Sequence, residues 1–161
     1  MKHHYKLHIV ALFYIVAAGS ATAETAKEGK YENQGCYIGP HYVISHAKDQ
    51  MSASYAATGV SIAPQGDPFH DTSGVCYGAW SLINGEFVDS GSCEFLDPSG
   101  DKFFGVYSRK NQENGQWRVV GGTGKFSGMM STGNWIGIVQ PPQPTGQLVT
   151  CNRQWGTWKL R

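Results

Sequence analysis

Four cysteines carry the clearest chemistry in this sequence, because two of them come into register across a predicted hairpin. The dipeptide Asn84-Gly85 is typical of a two-residue turn whose central positions both need positive φ. Counting outward from that turn places Cys76 directly opposite Cys93 on a non-hydrogen-bonded pair, where Cα atoms lie about 4.5 Å apart. A disulfide can span that distance. The sequence therefore predicts a Cys76–Cys93 bridge, which leaves Cys36 and Cys151 as the second pair by elimination.

Two carboxylates in the same hairpin are candidates for acid–base chemistry. Strand alternation puts Asp89 on the face of Cys93, opposite Trp80, and it puts Glu94 on the other face. The first face is the more aromatic, so we expect it to face the interior, with Asp89 near a barrel mouth and Glu94 pointing to water. A carboxylate that entered an apolar interior would have its pKa raised by desolvation. Both therefore stay candidate catalytic groups.

The remaining polar motifs predict neither a metal site nor a bound cofactor. His41 and His46 are an odd number of residues apart, so on a regular strand they point to opposite faces. The segment Gly121–Gly128 contains the Gly-Lys pair of a phosphate-binding loop. However, Val119 stands where that loop needs its first glycine, and Phe126 stands where it needs Ser or Thr. We interpret these glycines as a strand connection.

Aromatic side chains form a candidate binding surface for a small apolar ligand. Gly78 and Gly91 oppose each other on the aromatic face of the hairpin, and a missing pair of side chains could leave a cavity there. Small eight-stranded barrels are also commonly filled by their own side chains. A ligand cavity and a packed core therefore both remain open interpretations. The candidate ligand-binding residues are Trp80, Phe87, Phe95 and Trp135.

These side chains need an antiparallel sheet to position them. Short apolar runs separated by turn residues recur along the chain, and no stretch keeps a helical period. The chain has 21 glycines and only 16% charged residues, which suits a β-rich domain with many turns. We predict an all-β fold, either an up-and-down barrel or a sandwich. The predicted strands are 42–46, 53–62, 75–83, 86–96, 102–109, 117–120, 126–139 and 148–160.

The first 23 residues are typical of a secretory signal peptide. Lys2 and Lys6 form a basic start, residues 9–18 are apolar, and Ala21-Thr22-Ala23 matches a signal-peptidase site. The apolar run is shorter than the roughly 20 residues that span a bilayer. We therefore expect a periplasmic or secreted protein that begins at Glu24 and has no membrane anchor. An oxidising compartment of this kind is also where disulfides persist.

The exported chain is predicted to be one domain. Residues 24–35 are polar and are expected to form an N-terminal arm, and residues 36–161 are expected to form the β-barrel domain. The formal net charge of the whole chain is +1, and no basic block stands out. This charge pattern argues against a nucleic-acid partner.

The glycine-rich segment also carries a family resemblance. Gly121–Gly128, followed by Met129 and Ser131-Thr132-Gly133, resembles the signature of the allene oxide cyclase/dirigent-like β-barrel superfamily. Exported bacterial members are similar at Gly91–Glu94 and at Asp97–Asp101 as well. The resemblance implies a single eight-stranded antiparallel up-and-down β-barrel with an apolar lumen. It also implies a possible homo-oligomer, since plant members are often trimeric.

Three functions follow as expectations. The leading one is an exported binding module that holds a small, mostly apolar molecule in the lumen. The second is an isomerase or cyclase of the allene oxide cyclase type, with Glu94 or Asp89 polarising a hydrophobic substrate. The third is a secreted interaction or inhibitor protein that acts through its loops. The resemblance does not place the catalytic Glu and Asn of the plant cyclases on particular residues of this chain, so it carries over only the fold.

Overall fold

The computed structural model describes residues 27–139 and 146–161, and these form a closed barrel of eight antiparallel strands. Each strand pairs with the next, and β8 closes the barrel on β1. The predicted all-β class and the eight-stranded up-and-down barrel are thus confirmed. The predicted signal peptide lies outside the described residues. The strands are β1 Glu28–Ala47, β2 Gln50–Ile62, β3 Thr72–Ile83, β4 Glu86–Leu96, β5 Lys102–Lys110, β6 Gly115–Gly122, β7 Met129–Val139 and β8 Gln147–Leu160.

The first strand is much longer than the sequence patterns predicted. Residues 28–35, which lie within the predicted polar arm 24–35, are part of β1 and pair with β8. Their inward side chains, Tyr31 and Asn33, are buried, and the residues between them are exposed. Outward Glu32 forms an ion pair with Arg153 of β8 at 2.7 Å. The segment looks polar in the sequence because charged outward residues alternate with only a few large inward ones.

The predicted hairpin register is confirmed. Cys76 pairs with Cys93, and Asn84 and Gly85 both have positive φ, 52° and 80°. Both predicted disulfides are present, each with its Cα atoms 4.1 Å apart. The Cys76–Cys93 bridge is buried on the inner face of the barrel. The other bridge lies on the outer face and ties β1 to β8, the last pair of strands to close the barrel.

One end of the barrel is closed by a cluster of aromatic rings, which we call the aromatic floor: Tyr31, Phe69, Phe95, Phe103 and Phe126. Phe69 comes from the loop between β2 and β3, and Phe126 ends a short 3-10 helix, Gly124–Phe126. The ring centroids of Phe103 lie 4.8 Å from Phe95, 4.9 Å from Phe126 and 5.1 Å from Phe69. Within the described ranges, no helix has the length and hydropathy of a membrane span.

Candidate ligand-binding site

A cavity of about 320 Å³ lies inside the barrel, on the inner side of the aromatic floor. All eight strands contribute lining residues, because each strand presents every second side chain to the lumen. The four predicted ligand-binding residues all lie in its lining: Trp80, Phe87, Phe95 and Trp135. Three of them are only half-buried, whereas Phe95 belongs to the floor. The lumen is therefore closed below and accessible from the end where Trp80, Phe87 and Trp135 lie.

Eight of the eighteen residues that line the cavity are Phe, Tyr or Trp. The rings of Trp80 and Phe87 lie 6.0 Å apart, and Trp117 meets Phe95 edge-on at the same centroid distance. The inner disulfide completes this wall between β3 and β4. Such a surface favours flat or aliphatic apolar groups, and it supplies little to hydrate an ionic ligand.

The space expected beside Gly78 and Gly91 is not empty. A Cβ atom on either glycine would lie 2.2 Å from the hydroxyl oxygen of Tyr107. A Cβ on Gly78 would also meet the Tyr55 hydroxyl, at 2.5 Å. The prediction that this glycine pair opens a gap was therefore wrong in its detail. The missing side chains instead allow two phenols to meet against the sheet.

These phenols form a hydrogen-bonded group with Asp89, which we call the Tyr–Asp group: Tyr55, Asp89 and Tyr107. The Tyr55 hydroxyl donates to Asp89 Oδ1 at 2.8 Å, and its oxygen lies 2.5 Å from the Tyr107 hydroxyl oxygen. Burial raises the pKa of Asp89, although the bond from Tyr55 and the charge of Arg109 act against that shift. Burial also raises the pKa of both phenols, so they stay neutral near pH 7.

Arg109 is the cation nearest to the Tyr–Asp group along the sheet. It pairs with Asp89 in the β4–β5 register, and both side chains line the cavity. Its guanidinium lies over the rings of Trp135, at 5.6 Å, and Phe87, at 5.9 Å. Its Nε is buried and has no hydrogen-bond partner among the described residues. The guanidinium therefore places a positive charge in the cavity wall, beside Asp89.

The opposite wall, on β8, is also polar. Gln154 Nε2 donates to Asn152 Oδ1 at 3.0 Å, and both residues line the cavity with Thr150. The lumen therefore combines aromatic side chains from several strands with polar groups on two facing walls. A mostly apolar molecule with one or two oxygen functions would match this distribution.

Of the two candidate catalytic carboxylates, only Asp89 can reach a molecule in the lumen. It faces Trp80 across the hairpin, as predicted. Glu94 points outward and forms an ion pair with Lys102 at 2.7 Å, with nearly half of each side chain exposed. Within the described part of the chain, no group of three or more His, Cys, Asp or Glu residues is arranged to hold a metal ion.

Besides Asp89, the site contains polar residues that the sequence patterns did not indicate, among them His41, Tyr55, Tyr107 and Arg109. Each occupies an inward position of its strand, so alternation alone could have placed it on the right face once the register was known. Trp80 Nε1 donates to His41 Nε2 at 2.9 Å. His41 Nδ1 must then carry the proton when the ring is neutral. Burial lowers the pKa of His41, because the charged ring would be partly desolvated.

We expect acidification to release Trp80, because a protonated His41 ring cannot accept its indole N–H. The folded pKa of His41 lies below its unfolded value of about 6.5, so the unfolded chain binds more protons between the two pKa values. Stability therefore falls as the pH is lowered through that window. Tryptophan emission and urea unfolding, measured from pH 8 to pH 5, should both show this transition.

His41→Gln is the matched control for this prediction, since its amide oxygen can still accept from Trp80 at every pH. The variant should lose the emission change, and Trp80→Phe should lose the same signal. An emission change that persists unaltered in His41→Gln would contradict the assignment to His41.

The fold defines an architecture, a closed eight-stranded antiparallel β-barrel with an apolar and partly polar lumen. The structure is similar to a solved one, described as the pterocarpan synthase dirigent protein GePTS1. The TM-score is 0.51, the sequence identity is 11%, and the match covers 86% of this chain and 90% of that chain. At that identity the likeness shows the fold alone. No protein-family model matches the chain, and no curated protein matches it either.

Proposed function

We propose that this protein binds a small, mostly apolar molecule inside its barrel. The observation that carries the proposal is the cavity of about 320 Å³ above a closed aromatic floor, because a purely structural barrel of this size would be filled by side chains. Each 100 Å² of apolar ligand surface removed from water would contribute about 2.5 kcal/mol. The entropy lost on association opposes that gain. A few hundred Å² of buried surface is then enough for useful affinity.

The polar groups define how the molecule would be oriented. Asp89 and Tyr107 offer hydrogen-bonding groups on one wall, the Arg109 guanidinium brings a positive charge to that wall, and Asn152 faces them from β8. A ligand with an apolar body and one or two hydroxyl or carbonyl oxygens could form hydrogen bonds with these groups. None of them would then lose a hydrogen-bond partner when the ligand displaces water. Polar groups placed in this way fix orientation and specificity more than affinity.

An isomerase or cyclase is the second candidate function. It is favoured by the convergence of Asp89 and Asn152 on one lumen, together with the raised pKa of Asp89. A carboxyl group with a raised pKa holds its proton more tightly than a free one and can return it to a substrate more readily at a given pH. In this proposal Asp89 is the polarising group, and Tyr55 positions it through their hydrogen bond. Glu94, on the outer face, takes no part.

We also propose that the protein is exported. Its two disulfides fit an extracellular or periplasmic compartment, and the N-terminal pattern fits removal of a signal peptide before Glu24. Native mass spectrometry of protein purified from that compartment tests export and ligand binding in one measurement. The intact mass reports the first residue of the chain, and a retained ligand appears as an added mass.

The binding proposal predicts that filling the lumen abolishes ligand uptake. Titration with anilinonaphthalene sulfonate and with medium-chain fatty acids, followed by tryptophan emission, should saturate for the wild-type protein. Thr150→Phe places a ring in the cavity and should weaken binding at least tenfold, because it removes the space the ligand occupies. Thr157→Phe is the matched control on the same strand, since Thr157 is exposed on the outer face.

Thr157→Phe should bind like the wild type, and both variants should keep the wild-type circular dichroism spectrum. The proposal fails if the folded wild-type protein binds none of these probes and carries no added mass. Equal loss of binding in both variants would contradict binding in the lumen. Turnover of a bound molecule that stops in Asp89→Asn would favour the isomerase or cyclase over the binding module.

A further inference from the structure

Five of the eight strands have no charged residue in the part next to the open end of the barrel, the end where Trp80 and Trp135 lie. β2, β3 and β7 contain no Asp, Glu, Lys or Arg at all, β1 contains none after Glu32, and β8 contains none before Arg153. These five strands are neighbours in the closed sheet, in the order β7, β8, β1, β2 and β3. More than half of the circumference is therefore free of charged strand residues around the lumen entrance.

Large apolar side chains project into solvent around this entrance, and we call them the apolar rim: Tyr42, Val43, Ile44, Ile83 and Ile138. Tyr42 is 68% exposed and Ile44 61%, both on β1, and Ile138 on β7 is 47% exposed. Exposed apolar surface that surrounds an opening is typical of an interaction site.

The β1 part of the apolar rim projects beyond the rest of the sheet. β1 pairs with β8 only as far as Pro40, and its later residues pair with β2 alone. All side chains from Tyr42 to Ala47 are exposed. They include Val43, which is 50% exposed although its position is an inward one. Both faces of this hairpin therefore meet solvent.

We propose that the apolar rim docks on the surface of a lipid bilayer, so that the lumen opens toward the lipid. A rigid protein partner would cover one side of a projecting hairpin, whereas fluid lipid can contact both of its faces and the neighbouring strands together. The affinity of such docking scales with the apolar area that enters the interfacial region. The Tyr42 ring, with its apolar body and polar hydroxyl, suits the depth of the lipid headgroups.

The charges that do lie at the open end favour neutral lipid over anionic lipid. Lys48 and Asp49 occupy the turn between β1 and β2, Glu86 forms an ion pair with Lys110, and Glu113 lies in the turn between β5 and β6. Two basic and three acidic residues give this end a formal charge of 2 − 3 = −1. Anionic headgroups would gain nothing from that charge, so docking should depend on apolar contact and change little with salt.

Docking in this orientation would place the lumen entrance against the region where apolar molecules accumulate. An apolar ligand could then pass between bilayer and barrel without crossing water, which would otherwise cost the full hydrophobic transfer free energy. Delivery of a ligand by this route rests on the proposed function, whereas docking itself requires no ligand.

The experiment compares two outward isoleucines of nearly equal exposure at opposite ends of the barrel. Ile44 belongs to the apolar rim and is 61% exposed, and Ile62 is the last residue of β2, at the floor end, and is 64% exposed. Flotation with phosphatidylcholine vesicles, with and without phosphatidylglycerol, gives the bound fraction of each protein. The wild-type protein should float with both kinds of vesicle, to a similar extent at low and high salt.

Ile44→Lys should lower the partition coefficient by about tenfold or more, because it replaces apolar contact with an ammonium group that must stay hydrated. Ile138→Lys, on a different strand, should have the same effect, and Ile62→Lys should bind like the wild type.

The proposal is overturned if the wild-type protein fails to float at any lipid concentration, or if Ile44→Lys and Ile62→Lys lose binding equally or not at all. Flotation that requires phosphatidylglycerol and disappears in high salt also overturns it, because the contact would then be electrostatic. Titration of soluble fluorescent probes without vesicles reports on the lumen alone, so a failure of docking is distinguishable from a failure of the proposed function.

Discussion

Replacing Cys36 and Cys151 by alanine should lower the free energy of unfolding by about 5 kcal/mol, from the chain entropy of the released loop. The bridge joins residues 115 positions apart and holds β1 against β8, so the unfolded chain gains the freedom of nearly the whole domain. The Cys76–Cys93 bridge closes only 17 positions, and its removal should cost about 3 kcal/mol by the same argument. Urea denaturation of the two double variants measures both values.

Removal of the inner bridge, Cys76–Cys93, has a second destabilising effect besides the loop entropy. Cys76 and Cys93 are buried in the lumen wall, so their replacement also removes packed sulfur atoms. The outer bridge has no such contribution at exposed Cys36. If the inner double variant proves the less stable of the two, local packing outweighs the constraint on barrel closure, and the predicted order is wrong.

Phe126→Ala should be the most damaging single truncation in the aromatic floor, with a loss of about 3–5 kcal/mol. The Phe126 side chain is fully buried, and its ring packs 4.9 Å from Phe103 and stacks 6.3 Å from Phe69. Removal of the ring leaves a cavity beneath the lumen that the rigid barrel cannot collapse to fill. Urea unfolding of the variant measures the loss.

Phe104→Ala is the control for this prediction. Phe104 lies on the outward face of β5 and is only half-buried, so its truncation should cost much less. Similar losses for the two variants would show that Phe126 contributes no more than an ordinary surface ring. Loss of lumen binding in Phe126→Ala, without loss of fold, would show that the floor also bounds the ligand site.

The hydrogen-bonded Tyr–Asp group fits in the cavity wall because two neighbouring glycines leave room for it. Gly78 and Gly91 admit the phenols of Tyr55 and Tyr107, and those phenols hold Asp89 in the wall. An acidic group kept in apolar surroundings is costly for stability unless it is hydrogen-bonded. Asp89 meets that condition, because the Tyr55 hydroxyl donates to it at 2.8 Å.

Local chemistry in the sequence was sufficient to predict the β3–β4 hairpin. Asn84-Gly85 permits only a few turn conformations, and the turn sets the register of everything that follows on both strands. The Cys76–Cys93 bridge, the placement of Asp89 opposite Trp80 and the outward direction of Glu94 all come from that one constraint. Strand alternation supplied the all-β class, and the cysteine count supplied the second bridge.

Only the tertiary structure determined which side chains from distant strands share the lumen. Period-two alternation assigns a residue to a face, but it does not say which residue of another strand lies beside it. No tight turn links β1 to β8, so no local signal sets a register for residues 28–35, and their polar composition alone predicts an arm. For the same reason, Tyr55 could not be placed beside Tyr107, which is separated from it by two strands. In a closed barrel the registers of all strand pairs depend on one another. The residues of the site therefore come together only when the whole barrel has formed.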